Sequence, residues 1–422
     1  MVIWRFALVA LMFCIGASGS DSDPPSKEEF NLFCRIIKKA NDMMYGSEYV
    51  YDERKDMEVV KEMEVFYNAT TENINDLLKT LWDMKDFLKE HPPPMQLENR
   101  KQAHREIKYL IIDGEKKILE NREIALEVNK KIKEAKLSVA QGMYGETVTQ
   151  VPKEDGNFTD ILSNTDSIFE NNTTAKESCG HKGETSVGKT LINDIFCLCV
   201  GEGKDDGTSE APCHKNILPP KKNRNNGGWT TMRHTSDRNN AISTAESFEK
   251  IEKVCLSLLK GKEQAKDMPA LLEEFLEMIG KGSTKNNGNK IFGHSGRRIK
   301  NNGNNVTECT GAGTTGDGGQ PDYHNDKICV DYTNNFKEGK NYKILWHNKF
   351  KNYYTFMDEA KIIEDKILKN HAEILLLKSK AWIAYNREKE DHTANLDDMN
   401  ESQLFDGAQL THIIPFPFIF FI

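Results

Sequence analysis

Three stretches of the chain repeat apolar residues at steps of three and four, which places those residues on one face of a helix. The stretches cover residues 57–90, 95–141 and 344–390. At 1.5 Å per residue, the second and third would each extend about 70 Å. The sequence therefore predicts a mainly α fold, an elongated bundle of three long helices that pack through these apolar faces, here called seams.

Local signals place the ends of these helices. Pro92–Pro94 should end the first long helix, because proline removes a hydrogen-bond donor and clashes with the preceding turn. The second helix would then return beside the first as a helical hairpin. Its seam includes His104, interpreted as a packed histidine, and Gly114, which would let another helix approach closely. Ser26 and Glu29 form a capping-box pattern at the start of an earlier, shorter helix.

The region between the second and third long helices, residues 142–343, has a different composition. Gly, Asn, Thr and Asp dominate it, apart from the apolar run 191–200 and a helical pattern over 242–280 that Met268-Pro269 should divide in two. So little apolar area cannot hold a fold without cross-links. We predict a loop-rich, cysteine-containing insert that forms a disulfide-tied head lobe.

Both ends of the chain carry targeting patterns. Residues 1–19 combine a basic residue, an apolar run and small residues, as a secretory signal peptide does. The predicted ectodomain is 20–390, followed by a polar linker, 391–412, and an apolar tail, 413–422. The tail resembles a signal for a glycosylphosphatidylinositol (GPI) anchor, with Asp406 and Gly407 as attachment candidates.

Eight cysteines remain once the signal peptide is removed. An even number in an oxidising compartment predicts four disulfides, although eight cysteines allow 105 pairings. We favour Cys309–Cys329, which would close a Gly-rich loop. The spacing of the others does not fit a tetrahedral zinc site, so no metal is expected. The eight are Cys34, Cys179, Cys197, Cys199, Cys213, Cys255, Cys309 and Cys329.

Secretion makes the Asn-x-Ser/Thr sequons candidates for N-glycosylation. They are Asn68, Asn157, Asn171, Asn172, Asn305 and Asn400. The formal net charge of −8 argues against a nucleic-acid partner, whose phosphates require neutralisation by basic residues.

One motif points to an enzyme. Gly183, Gly188, Lys189 and Thr190 match the spacing of a phosphate-binding loop. A working loop follows a buried strand, whereas residues 171–178 are polar, and no later apolar strand ends in an Asp that could hold Mg²⁺. We interpret the motif as a chance match and expect no cofactor and no catalytic site. A nucleotide-binding protein remains the remote alternative.

The cysteine region and the helical hairpin together resemble the trypanosome variant surface glycoproteins, specifically the b-type of Trypanosoma congolense. The resemblance rests on Cys179-Gly180, Gly188-Lys189-Thr190-Leu191, Asn193-Asp194, Phe196-Cys197-Leu198-Cys199-Val200-Gly201, Cys213 and Trp229.

The resemblance implies a coat protein on the cell surface that shields the plasma membrane and is exchanged for antigenically different copies. Expected partners are a second copy in a homodimer, neighbouring coat molecules, host antibodies and the membrane through a GPI lipid. The alternative is a related surface receptor that captures a host protein or nutrient. An exposed apolar patch on the bundle would favour that receptor.

Overall fold

The computed structural model describes residues 23–72, 85–153, 159–170, 174–185, 187–222, 229–234, 240–261, 266–282, 290–296, 306–313, 325–336 and 342–387. Within these residues the chain divides into two compact units. We call the described parts of Met1–Ile36, Thr159–Gln264 and Ala270–Ile344 the lobe unit, and those of Ile37–Phe158, Ala265–Pro269 and Leu345–Ile422 the bundle unit.

The fold is mainly helical, as predicted. The helices are α1 Lys27–Met44, α2 Glu53–Ala69, α3 Lys85–Glu90, α4 Leu97–Tyr144, α5 Thr159–Ser163, α6 Thr165–Ile168, α7 Ala175–Ser178, α8 Leu191–Cys199, α9 Thr244–Leu259, α10 Met268–Met278 and α11 Leu345–Asn386. Short 3-10 helices cover His181–Gly183 and Thr333–Phe336, and β1 (Ile291–Phe292) pairs antiparallel with β2 (Val330–Asp331). No helix of the described residues has the length and apolar character needed to cross a bilayer.

Two long helices, α4 and α11, form the core of the bundle unit. They contain 48 and 42 residues, or about 72 and 63 Å of helix. The predicted second and third long helices are therefore confirmed, with ends that differ by a few residues. Their seams and that of α2 meet in two apolar clusters. These include Val60, Met63, Phe66, Ile107, Ile118, Ile374 and Tyr385 in one, and Ala125, Val128, Ile132, Ala360, Ile363 and Ile367 in the other.

Two glycines of α4 allow the close packing of these seams. A Cβ added at Gly142 would lie 2.7 Å from Phe350 Cε1 of α11. At Gly114, the glycine predicted on the seam, it would lie 3.1 Å from Val60 Cγ2 of α2. The expectation that Gly114 permits close approach is confirmed, and Gly142 plays the same part against an aromatic ring.

The predicted first long helix, 57–90, is not continuous, so that prediction was wrong. Helix α2 ends at Ala69, Thr70 to Glu72 are not helical, and α3 covers Lys85–Glu90. Thr70 Oγ1 donates to the Phe66 and Tyr67 carbonyls at 3.1 and 2.9 Å. A hydroxyl bonded back to its own helix competes with continued helix formation. Periodicity alone does not reveal this competition.

Local predictions in the lobe unit are largely confirmed. Helix α1 begins directly after Ser26, as predicted, and the predicted cap side chains bond to another segment: Ser26 Oγ accepts from the His294 N–H at 2.9 Å and Glu29 Oε1 from the Ser295 N–H at 3.0 Å. The pattern over 242–280 is divided into α9 and α10, and Pro269 lies in the first turn of α10, where its missing N–H has no cost. Sequence reasoning missed a complete capping box at the start of α9, formed by Ser243 and Glu246.

A buried polar network crosses the bundle unit at Asp56, which is 2% exposed. Its carboxylate hydrogen-bonds to the Tyr51 hydroxyl, to His371 Nδ1 of α11 and to Asn121 Nδ2 of α4, the last at 3.1 Å. Asn121 Oδ1 in turn accepts from Asn370 Nδ2 of α11 at 2.8 Å. One carboxylate therefore ties α2 to both long helices.

Electrostatics keep this carboxylate ionised. Burial alone would raise the pKa of Asp56, but the hydrogen bonds from His371, Tyr51 and Asn121 outweigh burial and hold that pKa below its usual value. Burial, followed by the hydrogen bond to Asp56, raises the pKa of Tyr51, so Tyr51 stays a neutral donor. The network therefore joins one buried carboxylate to three side chains that donate hydrogen bonds to it.

We predict that Asp56→Asn lowers the free energy of unfolding at pH 7 by about 2 kcal/mol, because charge-assisted hydrogen bonds to a buried group are lost. The folded-state pKa of Asp56 lies below the unfolded value of about 3.9. Its stabilisation is therefore present above that value and is lost as the pH falls through the folded pKa. Urea unfolding between pH 2.5 and 7 should show a shallower acid decline for the variant than for wild type.

Glu58→Gln, a change on the exposed face of α2, is the control and should leave both quantities unchanged. An Asp56→Asn protein as stable as wild type at pH 7 would contradict the assigned role of the carboxylate.

Candidate functional site

The cysteine-rich part of the lobe unit is held by four disulfides that use all eight cysteines expected to pair. They are Cys34–Cys255, Cys179–Cys197, Cys199–Cys213 and Cys309–Cys329. The last is the pairing that the sequence favoured. The first links residues 221 positions apart, and the others close shorter loops of 14 to 20 residues. Closing such loops restricts the unfolded chain more than the folded one.

Two of these disulfides attach to helix α8, and all nine residues of this helix are buried. Residues two positions apart in a helix project about 200° apart. Cys197 and Cys199 therefore point to opposite sides of α8, where Cys179 and Cys213 meet them. The same geometry explains why this C-x-C pair does not act as a two-cysteine metal ligand. In the described residues, no group of three or more His, Cys, Asp or Glu side chains could hold a metal ion.

The four residues of the phosphate-loop motif lie directly before α8. Thr190 is the N-cap of α8: its Oγ1 accepts from the Asn193 N–H at 3.0 Å and donates to the Ile168 carbonyl at 2.8 Å. Lys189 Nζ donates to the Asp166 and Phe169 carbonyls at 2.7 and 3.1 Å. The lysine and the hydroxyl that would contact phosphate and Mg²⁺ are therefore bonded to the protein's own backbone.

A carboxylate of the chain itself occupies the position that this loop would offer to an anion. Asp194 is fully buried, and its Oδ1 accepts from the Gly188 N–H at 3.2 Å and from Asn193 Nδ2 at 3.0 Å. Its Oδ2 accepts from the Tyr332 hydroxyl. A phosphate approaching the Gly188 amide would have to displace this carboxylate, because the amide is already hydrogen-bonded within the chain.

The two glycines of the motif are explained by packing. Gly183 and Gly188 both have positive φ, at 64° and 83°, where a side chain is strained. A Cβ at Gly183 would lie 2.6 Å from Thr333 Cβ, and one at Gly188 would lie 2.7 Å from Ile344 Cγ2. Sequence reasoning missed Asp194 and Tyr332. The available signal was a polar pair, Asn193-Asp194, inside an apolar run.

A separate polar groove of about 830 Å³ lies in the lobe unit. Burial, and then the nearby Lys176, lower the pKa of His181 at its edge. Basic and acidic side chains both line the groove, so its charge does not favour either anionic or cationic ligands. The lining residues are Thr174, Lys176, His181, Glu202, Lys204, Asp205, Asp206, Lys222, Thr310, Ala312, Gly313 and Lys327.

Of the modification candidates, Asn68 lies within the described residues and is exposed near the end of α2. The other sequons (Asn157, Asn171, Asn172, Asn305 and Asn400), the anchor candidates Asp406 and Gly407, the signal segment 1–19 and the segments 391–412 and 413–422 lie outside them.

Comparison with known proteins gives one clear match. A family model described as "Trypanosomal VSG domain" matches residues 51–374. The matched range contains α2, all of α4, the phosphate-loop motif and three complete disulfides. A search of curated proteins found no match.

We predict that Asp194→Ala lowers the free energy of unfolding by about 3 kcal/mol, because buried donors on Gly188 and Asn193 lose their acceptor. Asp194→Asn is the matched control. Its amide oxygen still accepts from both donors and its NH₂ can donate to the Tyr332 oxygen, so the loss should be about 1 kcal/mol. Urea unfolding under non-reducing conditions measures both. An Asp194→Ala protein with wild-type stability that binds MgATP would overturn this account of the loop.

Proposed function

Because the chain belongs to the trypanosomal VSG domain family, we propose that it is an N-glycosylated, GPI-anchored coat subunit that works by steric shielding and not by catalysis. The family makes it a variant surface glycoprotein of the cell-surface coat, consistent with antigenic variation. The match across residues 51–374 is the observation that carries the proposal. Assignment to the b-type of T. congolense is part of the proposal, and the family description is compatible with it.

The distribution of structural roles supports shielding. Fold-determining groups such as Asp56, Asp194 and the eight cysteines are buried, whereas the Asn/Gly-rich segments 221–228 and 286–305 lie outside the seams in sequence. Exposed loops tolerate substitution far better than packed seams. Host antibodies would then meet surfaces that can change while the interior stays the same.

We propose that the chain has no catalytic activity because the groups of its phosphate-loop motif are already hydrogen-bonded within the chain. Its lysine, its threonine and the amide of Gly188 are hydrogen-bonded to the protein itself. Steric shielding requires only a folded and anchored body, so a self-satisfied loop fits this function.

The proposal is tested on the native protein on its source cells with a GPI-specific phospholipase C. We expect release in bulk. Non-reducing mass spectrometry of the released protein should show four disulfides and a lipid remnant near Asp406 or Gly407. Heat-inactivated enzyme is the control. Protein that stays on the cells after treatment, or is released without any remnant, would contradict GPI anchoring.

A homodimer is the proposed form of this subunit, and α4 offers a surface for it. Leu119 and Leu126 are 55% and 73% exposed and stand seven residues apart, which places them on one outer face of α4. Lys116, Glu123 and Lys130 follow the same spacing beside them and alternate in sign. In a dense coat, copies lie side by side, so we assign this face to a second copy of the chain.

The double variant Leu119→Lys/Leu126→Lys should convert a dimer into a monomer in sedimentation velocity, because two apolar contacts become like charges. Its melting temperature should stay near that of wild type, since both positions are exposed. The neighbouring pair Glu120→Gln/Glu127→Gln is the control and should remain dimeric. A wild-type protein that is already monomeric and binds a host protein through this face would favour the receptor function.

A further inference from the structure

We infer that the N-glycan of Asn68 lies in a groove between α2 and α4, with its first sugar packed on the apolar groove floor. The inference rests on the proposal that the chain is a secreted glycoprotein. It adds a specific binding place for the glycan, formed by this chain's own side chains.

The groove has a volume of about 430 Å³, and Asn68 is itself one of its lining residues. The remaining lining residues are Glu64 and Tyr67 of α2 and Lys108, Ile111 and Ile112 of α4. A sugar attached to the Asn68 side chain therefore begins at the groove wall.

The lining has the character that an N-acetylglucosamine residue requires. Tyr67 and Ile111 are partly buried against the bundle core, and Ile112 is 46% exposed. These apolar surfaces suit the N-acetyl methyl group and the C–H face of the sugar ring. The Glu64 carboxylate can accept hydrogen bonds from the sugar hydroxyls, and the Lys108 ammonium can donate to them. Ligand sites commonly contain a few polar groups of this kind. Covering Ile112 also removes an exposed apolar side chain from the surface.

The end of α2 is held rigidly, which fixes the position of Asn68. His104 stacks on Tyr67 with ring centroids 3.9 Å apart, and its Nδ1 lies 3.2 Å from Thr70 Oγ1. The Thr71 N–H donates to the Asn68 carbonyl at 3.3 Å. A fixed attachment point lowers the entropy lost when the sugar settles in the groove.

The sequon hydroxyl has a further consequence. Thr70 is fully buried, and its Oγ1 is bonded to the Phe66 and Tyr67 carbonyls. A glycosylating enzyme that reads this hydroxyl must act before the end of α2 folds. The glycan is then present while α2 and α4 come together, and the groove closes around it.

The test is site-resolved removal of glycans by a peptide N-glycosidase from the full chain secreted by eukaryotic cells, followed by mass spectrometry. In the native protein, removal at Asn68 should be slower than after denaturation by more than about tenfold, the ratio that 1.4 kcal/mol gives. Ile112→Asp should raise the native rate at Asn68 toward the denatured rate, because it places a charge on the groove floor. Thermal melting checks that the variant is folded.

Ile362→Asp is the matched control, since Ile362 is an exposed isoleucine of α11 that does not line the groove. It should leave the rate at Asn68 unchanged. Equal native and denatured rates at Asn68, or occupancy of other sequons with Asn68 empty, would overturn the inference alone. A chain with no occupied sequon would overturn the proposed glycoprotein as well.

Discussion

The described part of the bundle unit depends on the buried carboxylate of Asp56. An ionised group inside a helical bundle is costly unless its hydrogen bonds are satisfied. Tyr51, Asn121 and His371 provide them, and they come from the segment before α2 and from the two long helices. Apolar seams alone tolerate a shift of one heptad along the helix, because one layer of aliphatic side chains resembles the next. A polar layer has one favourable alignment, as a buried Asn has in coiled coils.

The lobe unit applies the same rule with different chemistry. Asp194 lies in a fully buried helix whose residues are apolar apart from Asp194 and Asn193, and its oxygens accept hydrogen bonds from Gly188, Asn193 and Tyr332. Disulfides on opposite sides of α8 limit the freedom of the unfolded chain. They do not determine the local hydrogen bonds, which are made by the Asp194 carboxylate and the Thr190 N-cap. The Gly-Lys-Thr sequence therefore forms the turn and the N-cap that begin a buried helix. It resembles a nucleotide site because both use glycines before a helix N-terminus.

The sequence predicted the features that depend on repeated apolar spacing and on composition. The seams of α4 and α11 follow from steps of three and four, and the cross-linked lobe follows from its shortage of apolar residues and its eight cysteines. Prediction failed where the structure depends on individual side-chain contacts, as at a helix end or in the pairing of cysteines. Helix α2 ends where Thr70 Oγ1 bonds to the Phe66 and Tyr67 carbonyls of the last turn, and a smooth apolar pattern conceals this boundary. Disulfide connectivity was open because spacing does not say which segments meet in space. The motif was set aside on its polar surroundings, and the hydrogen bonds of Asp194, which support that interpretation, could not be read from the sequence.

The outer face of α4 carries exposed apolar residues that a coat protein would need to cover. Ile112, Leu119 and Leu126 share a seven-residue spacing and all project away from the seam. Such a row left bare would promote uncontrolled association in a dense coat. Asn68 stands beside only the first of them, and its groove includes Ile112. If Asn68 carries the proposed glycan, the row would end there and would leave Leu119 and Leu126 for the proposed second copy. The glycan would then cover the Ile112 end of this helix face, and a second copy would cover the part around Leu119 and Leu126.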